Sequence, residues 1–238
     1  MVTIRHLEVV PWAIPLRVPL ATARGPISYR HGFLVLLRAE RGFCGIGEAA
    51  PHPAAGPDAL ATTRRALAAA ADWLVGASTT QLGSLLARVH GLALPAASGL
   101  DMALHDLVGR VMGRPVTELL GGRQRVAVPI SALLDANDPA ACACAARAAT
   151  ARGFRHAKLK VGPAIEDAVA RFGAAHEAAP TLRLRADANG AWDTSLAVAA
   201  ARALRAHGLE WLEQPVGAGD VAVSYPGFWD DLARLSGA

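Results

Sequence analysis

The sequence predicts an α/β protein: an N-terminal α+β domain, then the first half of a parallel (β/α) TIM-type barrel that is incomplete at its C-terminus. Three observations carry this. Lys158-Leu159-Lys160-Val161-Gly162, Arg185-Ala186-Asp187-Ala188-Asn189-Gly190 and Leu212-Glu213-Gln214-Pro215 each end a β-like run and precede a helix-like one. Their polar ends recur evenly, from 160 to 187 and from 187 to 213, steps of 27 and 26 residues, which is one strand plus one helix. Within the strand-like runs, Leu182, Leu184 and Ala186 alternate with Arg183, Arg185 and Asp187. A period of two sends the charged set to one face and the apolar set to the other.

From the start of the chain, residues 3–10, 33–37 and 43–46 read as an antiparallel meander, with Glu40-Arg41-Gly42 as the hairpin turn between the last two. Residues 20–31, with Gly25 and Pro26, read as a mobile loop. Pro51 to Pro57 breaks the chain before helices at 60–75 and 80–89, and Ser98 opens a third whose stripe is Leu100, Leu104, Leu107, Val108 and Val111. Gly113-Arg114-Pro115 stops it. His105 and Asp106 look like a catalytic pair, but a helical surface or interdomain contact is the expectation for them.

The barrel strands are expected at 128–134, 156–161, 182–188 and 209–213, separated by helices at 139–152, 165–178 and 195–206. Gly153 and Gly208 close helices before strands. One further step from Glu213 falls just past Ala238. The expectation is therefore half a barrel, with exposed strand edges and an apolar inner face. It would be a fragment of a longer product, a subunit completed by another chain, or an inactive truncation. Domains are placed at 1–122 and 123–238.

Composition bounds the function. Hydrophobic residues make up 53% of the 238, enough for a sizeable core, and the sequence pI is near 9.4 with a formal charge of +4. The arginines are scattered and no basic run carries interleaved aromatics, so no nucleic-acid partner is expected. Cys44, Cys142 and Cys144 are odd in number and form no second C-x-C cluster, which argues against a zinc site or disulfide framework and for reduced, buried thiols in a cytoplasmic protein. Arg5 and Glu8 interrupt the first apolar run, unlike a signal peptide, and no apolar run reaches the ~18 residues of a membrane span.

The two lysines of the chain are Lys158 and Lys160; every other basic side chain of the Lys and Arg set is Arg. Guanidinium keeps its proton, whereas an ammonium beside another cation can lose one and act as a base. Alone, a Lys-x-Lys pair is commonly a solvated face, Asp-Ala-Asn-Gly a turn and Glu-Gln-Pro a strand end. Their joint spacing at strand ends favours a site. Trp192 and Trp211 are expected to be packing residues.

At these motifs, and at the passage from Leu104-His105-Asp106-Leu107-Val108-Gly109 to Leu119-Leu120-Gly121-Gly122, the chain resembles the enolase superfamily, in its mandelate racemase/muconate lactonizing enzyme-like branch. That resemblance makes the N-terminal domain a cap whose 20–31 loop folds over the barrel mouth. It implies removal of a proton α to a carboxylate on a small substrate, by a Lys or His base beside Mg²⁺, or Mn²⁺. Lys160 would be the base, with Lys158 lowering its pKa and touching the substrate carboxylate. Asp187, Glu213 and a third acid on a fifth strand would hold the metal. Asn189, Arg185 and Arg24 would support substrate or metal, Arg185 as a charge partner beside the ligands. A further lysine is expected on a sixth strand, and a homo-oligomer or a complementing C-terminal half as partner. Arg183 to Trp192, Gly208 to Val216, Ala23-Arg24-Gly25 and Gly47-Glu48-Ala49-Ala50-Pro51 look most like o-succinylbenzoate synthases, which dehydrate a cyclohexadiene carboxylate in menaquinone biosynthesis. Dipeptide epimerases, N-acylamino acid racemases and muconate cycloisomerases share most of these residues.

Overall fold

The structure is a computed structural model that describes residues 1–20, 26–56 and 58–217. They fall in two compact units, divided between Val126 and Ala127.

The first unit is a three-stranded antiparallel sheet in the order β1-β2-β3 with helices packed on it. The strands are β1 (Ile4–Leu20), β2 (Ile27–Ala39) and β3 (Cys44–Ala49). Alternation in β2 buries Phe33, Val35 and Leu37 and turns Leu34 and Arg38 outward. The Glu40–Gly42 turn joins β2 to β3, with Arg41 and Gly42 in the left-handed region. The expected 20–31 loop is shorter than its composition implied, because Ile27 to His31 belong to β2 and pair back on β1 as far as Leu20. Pro11, Pro15 and Pro19 look like breakers, yet β1 runs through them. It is the edge strand, so a proline there forfeits no ladder bond on its free side.

Helices α1 (Asp58–Leu74), α2 (Leu82–Val89), α3 (Leu94–Met112) and α4 (Val116–Leu119) follow. The third starts before Ser98 because Pro95 occupies its first turn, where a missing N–H costs nothing, and it ends at left-handed Gly113. β3 lies against α3 with backbone nearly on backbone. A Cβ added to Gly45 would stand 2.1 Å from the Ala103 carbonyl, and one on Gly47 2.0 Å from that of Gly99. Leu37, Leu67, Leu74, Leu100, Leu104 and Leu107 form the core of this unit.

The second unit alternates strand and helix: β4 (Ser131–Leu134), α5 (Pro139–Ala151), β5 (His156–Lys160), α6 (Ile165–Ala178), β6 (Arg183–Asp187), α7 (Thr194–Arg205) and β7 (Leu209–Glu213). All four strands are parallel neighbours in the order β4-β5-β6-β7. This is the partial parallel α/β barrel the motif spacing implies. Asp138 and Asp193 cap α5 and α7 by accepting from Ala141 N (2.8 Å) and Leu196 N (2.7 Å). Ala157, Leu159, Leu184 and Ala186 bury one sheet face with Phe172, Ala175, Ala200 and Leu204.

The other face departs from the expected apolar lining: it carries His156, Lys158, Arg183, Arg185 and Asp187 by alternation, with Glu210 bonded to the two arginines. Residues 128–130 stay outside β4, whose strand begins at Ser131 just past Pro129. Trp192 packs as expected, its indole N–H on the Pro163 carbonyl at 3.2 Å. Trp211 does not pack: it is 60% exposed on the open face, with the Arg185 guanidinium 5.7 Å from its ring centre. Cys142 is buried and its thiol pKa pushed up by that burial, but Cys144 is exposed, so the thiols are not uniformly buried; all three are free.

Candidate active site

Parallel register builds the site. Lys160 pairs with Asp187 and Asp187 with Glu213, so three strand-end side chains stand in one row across β5, β6 and β7. Lys158 stands two residues lower on the same face. All lie at the C-terminal ends of their strands, where barrel active sites are built.

The Lys158 ammonium joins the two acids. It donates to Asp187 Oδ2 at 2.9 Å and to Glu213 Oε1 and Oε2 at 3.2 and 3.3 Å. The Asp187 hydrogen bond pushes the Lys158 pKa above the ordinary lysine value; burial opposes this, and Glu213 adds to the rise. Lys158 is thus a fully charged partner of both acids rather than a free contact.

Asp187 is 2% exposed, and both its oxygens are used. The second, Oδ1, accepts from the Asn189 backbone N–H at 2.9 Å. Asn189 adopts φ +49°, in the left-handed region an Asn tolerates, and so turns its N–H back to the carboxylate. Asn189 therefore acts through its main chain. The tips are tied together past the strands by Val161 N to Asp187 O (2.9 Å), Ala188 N to Glu213 O (3.1 Å) and Gly190 N to Gln214 O (2.7 Å).

Arg185 does not pair with Asp187 or Glu213, the pairing that the resemblance implied. Its Nε donates to Glu210 Oε2 at 2.9 Å, and Arg183 reaches Oε1 of the same carboxylate at 3.3 Å. The cause is a register shift between Leu184 and Arg185, which inserts Glu210 into β7 opposite the arginines. Burial pushes the Glu210 carboxyl up, but the bond and charge of Arg185, with His156 and Arg183, outweigh it and hold the group below the usual range. Arg24 lies outside the described residues. His105 and Asp106 are helix α3 residues: His105 Nδ1 lies 3.0 Å from the Asp101 carbonyl, while Asp106 accepts from Ile46 N (2.9 Å) and pairs with Arg110.

Arg171 and Glu210 escaped the sequence reading. Arg171, 5% exposed on α6, donates from Nε to Asp167 (2.8 Å) and from Nη1 to the carbonyls of Ala136 (3.2 Å) and Lys160 (3.0 Å). The four-residue spacing of Asp167 and Arg171 was its only signal.

The donor set fits a hard divalent cation in kind. Two carboxylates converge on one positive centre, about 3 Å from each, and oxygen donors suit Mg²⁺. Among the described residues, no group of three or more His, Cys, Asp or Glu side chains gathers for a metal. No helix there is long and apolar enough to cross a membrane.

An α+β unit followed by parallel β/α steps with acids and lysines at the strand tips is the architecture of enolase-like barrel proteins. The profile "Mandelate racemase / muconate lactonizing enzyme, N-terminal domain" matches residues 4–121, and "Enolase C-terminal domain-like" matches 141–225. The chain belongs to the mandelate racemase/muconate lactonizing enzyme family of the enolase superfamily. It is 34% identical to a hydrophobic dipeptide epimerase of Roseobacter litoralis, over 93% of this chain and 67% of that protein. It is 30% identical to an aromatic dipeptide epimerase of Herpetosiphon aurantiacus, over 90% and 62%. A dipeptide epimerase structure from Enterococcus faecalis, complexed with Mg and the dipeptide L-Leu-L-Tyr, superposes with TM-score 0.84 at 30% identity, covering 92% of this chain and 63% of that one. The chain thus spans about 62% of the length of the Herpetosiphon relative.

Proposed function

We propose that this chain carries the base and two metal-binding acids of a site that removes the proton α to the carboxylate of a small substrate. The row Lys160, Asp187, Glu213 on one rim carries this reading. Asp187 and Glu213 would hold Mg²⁺, which when bound supplies positive charge against the negative charge developing on the substrate carboxylate. The Lys160 amine, next to Asp187 in the row, takes the proton as the C–H electron pair moves toward the carboxylate. Lys158 supplies a second cation facing the same hollow. Asn189 N–H keeps Asp187 oriented. Three free cysteines favour a reducing, cytoplasmic setting.

The substrate proposed is a dipeptide or N-acylated amino acid, whose α-carbon is epimerised when an acid opposite Lys160 returns a proton to the other face, the role the resemblance gives to the sixth-strand lysine. The names of the relatives support this choice. A second reading, dehydration of the o-succinylbenzoate type, rests on the Arg183–Trp192 and Gly208–Val216 motifs and shares the same first step. The test is deuterium uptake at the α-carbon in D₂O with Mg²⁺, read by mass spectrometry over a dipeptide and N-acylamino acid panel. Uptake is expected, and Lys160→Ala lowers it by about 10²–10⁴-fold; uptake that survives the substitution defeats the assignment.

A further inference from the structure

We infer that Arg171 is a positioning residue for the Lys160 base, an inference that rests on the function proposed above. The β4–β5 ladder runs from Ser131 and His156 to Leu134 and Leu159, so Lys160 has no register partner on the β4 side. On the other side its successor Val161 is pinned to β6 through the Asp187 carbonyl. The open side is closed by a guanidinium. Arg171 Nη1 bonds the Lys160 carbonyl at 3.0 Å and the Ala136 carbonyl, two residues beyond β4, at 3.2 Å. One planar group from the helix layer thereby continues the sheet past the last register pair of the β4–β5 ladder.

The guanidinium is itself fixed. Asp167, one helical turn earlier on α6, takes Nε at 2.8 Å and lies 2.7 Å from Nη2. The Cys142 thiol adds a bond to the Ala136 carbonyl at 3.5 Å. A charged side chain is rarely buried this far without such partners, and Arg holds them in a rigid fork that Lys lacks. The Lys160 backbone is thus anchored to helix α6 on one side and to the acid-bearing strand on the other. Freeing one anchor moves the amine relative to Asp187 and the substrate α-carbon, and proton transfer is sensitive to displacements of an ångström.

The test uses the full chain with Arg171→Met, Arg171→Lys and Asp167→Asn. Because Lys158 and Lys160 are the two lysines of the chain, brief acetic anhydride labelling followed by peptide mass spectrometry reads their relative reactivity directly. Arg171→Met is expected to change the Lys160-to-Lys158 labelling ratio severalfold with helical circular dichroism retained. It is also expected to slow α-deuterium exchange about 10- to 100-fold with KM little changed. Arg171→Lys restores part of both. A folded Arg171→Met protein with the parental ratio and exchange rate overturns the proposal, as does a lowered melting temperature with an unchanged ratio. Where Arg171→Met does not fold, a parental ratio in both Arg171→Lys and Asp167→Asn overturns it equally. Absence of exchange in the parent chain counts against the proposed function alone, since the labelling ratio still decides the role of Arg171.

Discussion

Asp187, Asn189 and Glu210 illustrate how single residues set the chemistry of the rim. Asn189 holds φ +49° to aim its N–H at Asp187. A β-branched side chain there is strained, so Asn189→Val is expected to cost about 1–2 kcal/mol in chemical denaturation while Asn189→Gly is tolerated. Glu210 has a folded pKa below its unfolded one. Its contribution to stability is therefore complete above the unfolded value near ~4.3 and lost as pH falls through the lower folded value. Glu210→Gln should remove that component, leaving the acid limb of a melting-temperature profile flatter than the parent's. The alternation of residues 182–188 was enough to put Asp187 and Arg185 on one face. It could not give Arg185 its partner, because the bulge that brings in Glu210 is a property of two paired strands. Arg171 was hidden for a related reason: two of its acceptors are backbone carbonyls, which leave no trace in side-chain chemistry.

Among the elements, β3 and α3 meet with backbone nearly on backbone at Gly45 and Gly47. Gly47→Ala would set a methyl group 2.0 Å from the Gly99 carbonyl oxygen, so the two elements must separate. Overpacking of this kind costs about 1–3 kcal/mol, to be read as a lowered denaturation midpoint. On α6, Phe172→Ala opens the core of the second unit, with an expected loss of about 3–5 kcal/mol. Helices α5, α6 and α7 and strands β5 to β7 were legible to within a residue or two, with Gly153 and Gly208 marking the ends of α5 and α7. The apolar pattern marks the first strand only over residues 3–10, whereas β1 runs on to Leu20. Its place at the sheet edge depends on β2 and β3, which the local sequence does not specify.

At the scale of the molecule, each unit has a hydrophobic core of its own. Calorimetry is expected to resolve two transitions, with Gly47→Ala moving one and Phe172→Ala the other. Mg²⁺ at a hundredfold excess over its dissociation constant should stabilise the second unit by about 2.7 kcal/mol, and Asp187→Asn should abolish that gain. The division into an α+β part and β/α steps was readable because hydrophobic period changes along the chain.

The ammonium lodged between Asp187 and Glu213 has a consequence for biogenesis. Two anions on adjacent strands repel while a nascent sheet zips up, and here a tethered counter-charge shared between them offsets half of that charge. The rim is therefore expected to assemble in an ion-poor milieu. Lys158→Met makes maturation depend on whatever dissolved cation arrives, and refolding yield in the presence of a chelator would expose that dependence.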